Sequence, residues 1–405
     1  MRSYGFLVGG LMLVAAAYEI ASCSVAEPPP ATLPDLTPTV TPITTHAQLK
    51  DSMRQLWTTQ TSWSRFYMIS SLAGLSDAAP AMTRILQNAD DFGSAMRPFY
   101  GDEAAAKFSS LLHENADAEA LVFGMARAND DAGFKAATSA WHANADELAS
   151  YFLTETPGAS PDAINLALHT YLDNTIAEVT ERGNGQWTGD AQAHDTTEAE
   201  GLALADAWTD GVTAQFPLLV STSAEPPLAV GATHVEMRRL WSERTTWTRT
   251  YVVDALANLP DTQAATDRLL QNQVDIGTAL RPYLGAKRSD RLVGLLENDV
   301  TLATEVVESA RIGDARHLKE AHDAWDLNAA ALGAALADAN VSGAGDLPVW
   351  ILAEHANTEG QSVDRINIDW AGDISQYEAA AAVDQKIADA VSGGLAAGTP
   401  NVGGR

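Results

Sequence analysis

The sequence predicts an all-α protein, a tandem duplication of one antiparallel helical bundle, and three observations carry that expectation. Residues 46–217 are written out a second time at 234–400, and spacing kept over so long a unit marks two copies of one fold. Hydrophobic residues make up 46% and charged residues 19% of the 405-residue chain, a globular balance. Alanine is abundant and β-branched runs are few, which favours helices. Apolar positions recur with the helical period, and no segment alternates as a strand between hairpin turns.

The repeat can be followed residue by residue. Leu56-Trp57 and Trp63-Ser64-Arg65 return 184 positions later as Leu240-Trp241 and Trp247-Thr248-Arg249. Arg84, Asn88, Asp91, Arg97-Pro98, Gly101, Trp141 and Asn144 recur at the same offset as Arg268, Asn272, Asp275, Arg281-Pro282, Gly285, Trp325 and Asn328. Towards the end Trp187, Asp190 and Pro217 return as Trp370, Asp373 and Pro400, now 183 apart, so one residue is lost on balance.

The elements follow in chain order. Residues 1–23 read as a secretory signal: Met1-Arg2, an apolar stretch from Gly5 to Ala17, then Ile20-Ala21-Ser22-Cys23. This end resembles a bacterial lipobox, and the resemblance implies lipidation of Cys23, the only cysteine, which also leaves no intramolecular disulfide. Residues 24–45, rich in Pro and Thr, read as a tether. The first bundle is expected over 46–221, a linker with Glu225-Pro226-Pro227 over 222–232, the second bundle over 233–400 and a tail over 401–405.

Within each copy four long helices and one or two short ones are expected. The first spans 47–74 (233–258 in the second copy), with Leu49, Met53, Leu56, Trp63 and Tyr67 on its apolar face. A short helix over 79–87 is read as stopped by Asn88, with Asp91 capping the next and Arg97-Pro98-Phe99-Tyr100-Gly101 ending it. Longer helices follow over 102–128, 131–153, 161–181 and 190–214.

Composition excludes one large class of partner. Fifty-three acidic against 25 basic residues give a formal charge of −28, and a phosphate-tracking surface needs clustered Lys and Arg, so nucleic acid is not an expected partner. Enzyme signatures are missing as well, with no P-loop, no His-Glu-x-x-His and no Gly-x-Ser-x-Gly elbow. No catalytic residue and no cofactor is assigned.

Candidate ligand-binding residues come from the repeat. Trp57, Thr61 and Arg65 share one helical stripe, as do Trp241, Thr245 and Arg249, with Arg244 beside the latter. Such stripes either line a pocket for an anionic or aromatic ligand, together with Asn88, Asp91, Asn272 and Asp275, or fix bundle register through ion pairs such as Arg65 with Asp91. A metal site of the bundle type needs Glu-x-x-His pairs, which neither copy has. The nearest approach to a metal set is His355 with Glu354, Glu359 and Asp299.

The run Leu-Trp-x5-Trp-[Ser/Thr]-Arg, then Arg84-x-Leu86-x-Asn88-x2-Asp91-x-Gly93-x3-Arg97-Pro98 and Trp141-x2-Asn144-Ala145, resembles a family of short bacterial helical proteins often labelled acetylglutamate kinase. That label implies an α/β fold with glycine-rich phosphate loops, which an all-helical unit does not fit. The resemblance implies histidines where this chain has Gln60 and Arg244, Asn115 and Asp299, and Leu172, with His355 alone keeping one. Any metal or proton-transfer pocket of that family would then be lost in the first copy and weakened in the second. The expectation that results is a lipid-anchored, extracytoplasmic, non-catalytic binding or interaction protein, its partner a small molecule or an envelope protein. The alternative is a metal- or cofactor-dependent bundle with its site in the second copy.

Overall fold

The computed structural model describes residues 43–222, 228–337 and 345–398. The signal, Cys23, the tether as far as residue 42, residues 223–227 of the linker and the tail lie outside them. Eleven helices and no strand are found among the described residues. None of these helices is long and apolar enough to cross a membrane.

The first half holds α1 (His46–Ala73), α2 (Ala78–Ala128), α3 (Asp131–Glu155), α4 (Pro161–Gly183) and α5 (Trp187–Gln215). The second holds α6 (Leu228–Ala257), α7 (Thr262–Leu284), α8 (Ala286–Ile312), α9 (Ala315–Ala337), α10 (Leu347–Ile366) and α11 (Trp370–Gly398). Local chemistry sets several boundaries. Thr45 and Gln48 form a capping box at the start of α1, and Gly74 ends it in the left-handed conformation. Asp130 accepts from Gly133 N to open α3, and Pro161 stands in the first turn of α4. The single backbone break inside α2 is Gly101, at φ 83 and ψ 177. Gly285, at φ 76 and ψ 163, separates α7 from α8 at the same place in the second half.

Three expectations are corrected. The stretch 79–100 is not a short helix followed by another. Asn88 and Asp91 lie within α2, and Asn272 and Asp275 within α7. Asn88 Nδ2 donates across to Leu56 O at 3.1 Å, and Asn272 Nδ2 to Leu240 O at 3.0 Å. The amide ties two helices together, so it neither stops one nor starts another. The linker is also shorter than expected, since α6 starts at Leu228. The last tether residues belong to the folded body, where Ser221 N donates to Thr44 O and His46 N to Ser221 O.

α1 packs on α2 and α5, and α6 packs on α7 and α11, so the first helix of each half is its central element. One aromatic core fills the first half, with Trp57, Phe92, Phe108, Trp141, Phe152 and Trp208 all buried. An aliphatic core around Leu240, Ile276, Leu296, Leu332 and Ile387 fills the second. Two further clusters join the halves: Trp63, Phe66 and Ile85 against Tyr377, and Ala191 against Trp247, Val252 and Leu269.

Candidate functional site

The join between the halves is where the repeated tryptophans and arginines meet. Ser62 and Thr246, 184 apart in sequence, touch hydroxyl to hydroxyl at 2.8 Å. Several contacts around them have a counterpart. The Arg65 guanidinium lies 4.3 Å from the Trp247 ring, and that of Arg249 lies 4.9 Å from Trp63. Arg182 reaches Asp261 at 2.6 Å and Arg365 reaches Asp77 at 2.8 Å. Arg84 pairs with Glu378 at 2.9 Å, and Arg268 with Asp195 at 2.8 Å. Contacts that exchange roles in this way are those of an isologous interface, with both partners here on one chain.

Behind the tryptophans the arginines end in buried carboxylates. Arg65 binds Glu178 at 2.6 Å and Asp190 at 3.2 Å, and Arg249 binds Asp373 at 2.7 Å. Ion pairing was therefore the right alternative for these stripes, with different partners. Asp91 and Asp275 instead stand near Arg84 and Arg268, at 3.7 and 3.9 Å. Glu178 is buried, yet His194 and Arg65 hold its carboxyl below the usual range. In the Asp254 carboxyl, burial and neighbouring Asp261 win, and it is pushed well above that range. The sequence had singled out neither Arg182 and Arg365 nor Asp77 and Asp261, although both pairs recur at the repeat offsets.

A second cluster lies inside the second half. The Arg244 guanidinium sits among Asp299 at 2.7 Å, Glu354 at 3.1 Å and Asp384 at 3.6 Å. His355 Nε2 meets Asp299 Oδ1 at 2.9 Å, and its ring lies 3.8 Å from that of Trp325, nearly parallel. Trp325 Nε1 and Asn328 Nδ2 both donate to the same Asp299 oxygen at 3.0 Å. Burial works against ionising Asp299, but His355 and Arg244 hold its carboxyl low, whereas burial pushes Asp384 up to about 7. Asp299, Glu354 and His355 each offer a donor atom within 4.8 Å of the others. Glu359 does not join them; it faces His322 at 3.3 Å on the surface. Asp384 carries no signal in the sequence, because the matching place in the first half is Gly201.

In the first half the corresponding positions, Gln60, Asn115 and Leu172, line a cavity of about 20 Å³ with Trp57 and Tyr171, room for about one water. The candidate residues thus fall into separate places. Arg65 and Arg249 serve the join, Trp57 lines the small cavity, and Trp241 lies in the second core with Arg244 5.5 Å from its ring. Asn88, Asp91, Asn272 and Asp275 tie or flank helices. They do not line one ligand pocket.

The larger concavities are open. One of about 690 Å³ lies where the ends of α6 and α8 meet the starts of α7 and α9, lined by Tyr251, Leu259, Gln263, Glu308, Arg311 and His317. Another of about 440 Å³ runs between α5 and α7 beside Asp195 and Arg268. No family model matches the chain, and no curated protein and no solved structure matches it either.

Proposed function

We propose that this chain is a non-catalytic binding or interaction protein of the cell envelope, lipidated at Cys23 and carried on a Pro/Thr-rich tether. The observation that carries the binding role is the 690 Å³ cleft, which has the size and mixed lining of a small-molecule site. The halves differ beside it. Beside Gly74 at the end of α1, Arg127 Nη2 comes within 2.8 Å of where a Cβ would stand. The second half has Asn258 there, which denies that space to Arg311, and Arg311 pairs with Glu308 at 2.5 Å instead. The Trp and Arg framework supports the reading differently, because it is already engaged in joining the halves.

Two measurements test this. Labelled palmitate should enter the wild-type protein in a bacterial host and not Cys23→Ser. A thermal-shift screen of sugars, amino acids and dipeptides should give a ligand whose effect, about 2.7 kcal/mol at a hundredfold excess over Kd, is lost in Tyr251→Ala. Turnover of an envelope substrate that disappears in Arg249→Ala or His355→Ala would overturn the reading.

One observation favours a second reading, a metal-dependent bundle: the convergence of Asp299, Glu354 and His355. These are suitable donors for a divalent cation. Arg244 already supplies a positive charge to two of them, so a metal would have to displace its guanidinium. Stoichiometric metal in the purified protein, absent from His355→Ala, would select this reading over the first.

A further inference from the structure

His142 on α3 and His169 on α4 face each other at the surface of the first half. Their Nδ1 atoms are 2.9 Å apart, with ring centroids at 4.8 Å and planes 13° from parallel. Carbon faces come no closer than ~3.5 Å, so the two imidazoles meet edge to edge rather than face to face. Each ring is backed by a carboxylate. His142 Nε2 lies 3.1 Å from Asp173 Oδ1, and His169 Nε2 lies 2.8 Å from Asp146 Oδ1.

Hydrogen accounting makes this arrangement informative. A carboxylate accepts, so each Nε2 carries the hydrogen, and a neutral imidazole then has a bare lone pair at Nδ1. Two bare nitrogens 2.9 Å apart repel unless one positive charge lies between them. A proton can fill that place, and so can a metal ion. An imidazole that donates from one nitrogen to a carboxylate and offers the other is the form that binds divalent transition metals, the carboxylate fixing tautomer and ring orientation.

We propose that His142 Nδ1 and His169 Nδ1 bind a divalent cation of the Zn²⁺ or Cu²⁺ class, with Asp173 and Asp146 as the orienting carboxylates. The side chains are 23% and 33% exposed, so water or a donor from a bound partner completes the coordination. Binding needs only a small opening of the pair, to metal–nitrogen distances of ~2.0–2.1 Å. Hard cations such as Mg²⁺ and Ca²⁺ prefer oxygen and are not taken. Asp326 and Leu352 stand at the matching places of the second half, so the site belongs to the first half alone. It shares no residue with the Asp299, Glu354 and His355 cluster.

Isothermal titration of the purified protein with ZnCl₂ and CuCl₂, in a buffer that does not chelate, tests the site. The wild type should bind one equivalent that His142→Gln and His169→Gln each lose and His355→Ala keeps. Asp146→Asn combined with Asp173→Asn should weaken it about tenfold, and MgCl₂ should give no binding heat. All four positions are on the surface, and circular dichroism checks that the variants fold. No transition-metal binding, or binding unchanged in both histidine variants, would overturn the proposal.

Discussion

Glu119 on α2 is 1% exposed, and the Ser64 hydroxyl donates to its carboxylate. Burial pushes this carboxyl from the usual 4.5 up to about 7, despite the Ser64 bond. The folded state therefore keeps a proton that the unfolded state releases above pH 4.5, and more protons bound to the folded state means stability falls as pH rises. The loss accumulates between about pH 4.5 and 7 and amounts to about 3 kcal/mol above that window. Glu119→Gln keeps an acceptor for Ser64 and removes the titration. Urea unfolding should show the variant stabilised at pH 8 relative to wild type and close to it at pH 4. An equal difference at the two pH values would refute this account.

At the scale of elements, the turn that leads into the last helix of each half differs by one residue. Gly185 before α5 has φ 70, and at the same repeat position before α11 Ile368 has φ 61. An L-residue in this left-handed region costs roughly 1–2 kcal/mol, and a β-branched one is a clear outlier. Ile368 is 66% exposed, so packing recovers little. Ile368→Gly should raise the melting temperature, with a gain of about 1 kcal/mol after the entropy of glycine in the unfolded chain; an unchanged or lower melting temperature would count against it. Neither the strain at Ile368 nor the role of Asn88 is legible locally. Helices were readable because period and breakers lie within a few residues of one another, as at Pro161. Asn88 misleads because its partner, the Leu56 carbonyl, is on another helix, and an amide before an Asp looks like a boundary when only neighbours in sequence are visible. Arg65 has the same difficulty, since choosing among many acids requires knowing that α4 and α5 pack beside α1. Repetition was the one long-range signal available, and it selected the residues of the join without showing that they form one.

For the whole molecule, the join predicts unequal consequences from equivalent substitutions. In the second half Arg249 and Arg365 both bind Asp373, Arg365 also binds Asp77, and Gln361 is the neutral neighbour. Two cations meet two anions there. In the first half Arg65 and Arg182 face Glu178, Asp190 and Asp261, with Glu178 in the place that Gln361 takes in the other half. Removing Arg65 leaves Glu178 to His194 alone, a buried charge that has lost its permanently charged partner, which costs roughly 3–5 kcal/mol. Removing Arg249 leaves Asp373 still bound by Arg365, so the loss is that of charged hydrogen bonds, about 2 kcal/mol. Each arginine also rests on a tryptophan of the opposite half, so separating the halves would expose both ion clusters, and the body should unfold in one step. Chemical denaturation followed by tryptophan fluorescence and far-ultraviolet circular dichroism should give coincident single transitions for wild type and both variants. Arg65→Ala should lie at lower denaturant than Arg249→Ala. Two resolved transitions in the wild type would refute the coupling of the halves, and equal losses for the two variants would refute the charge asymmetry across the join.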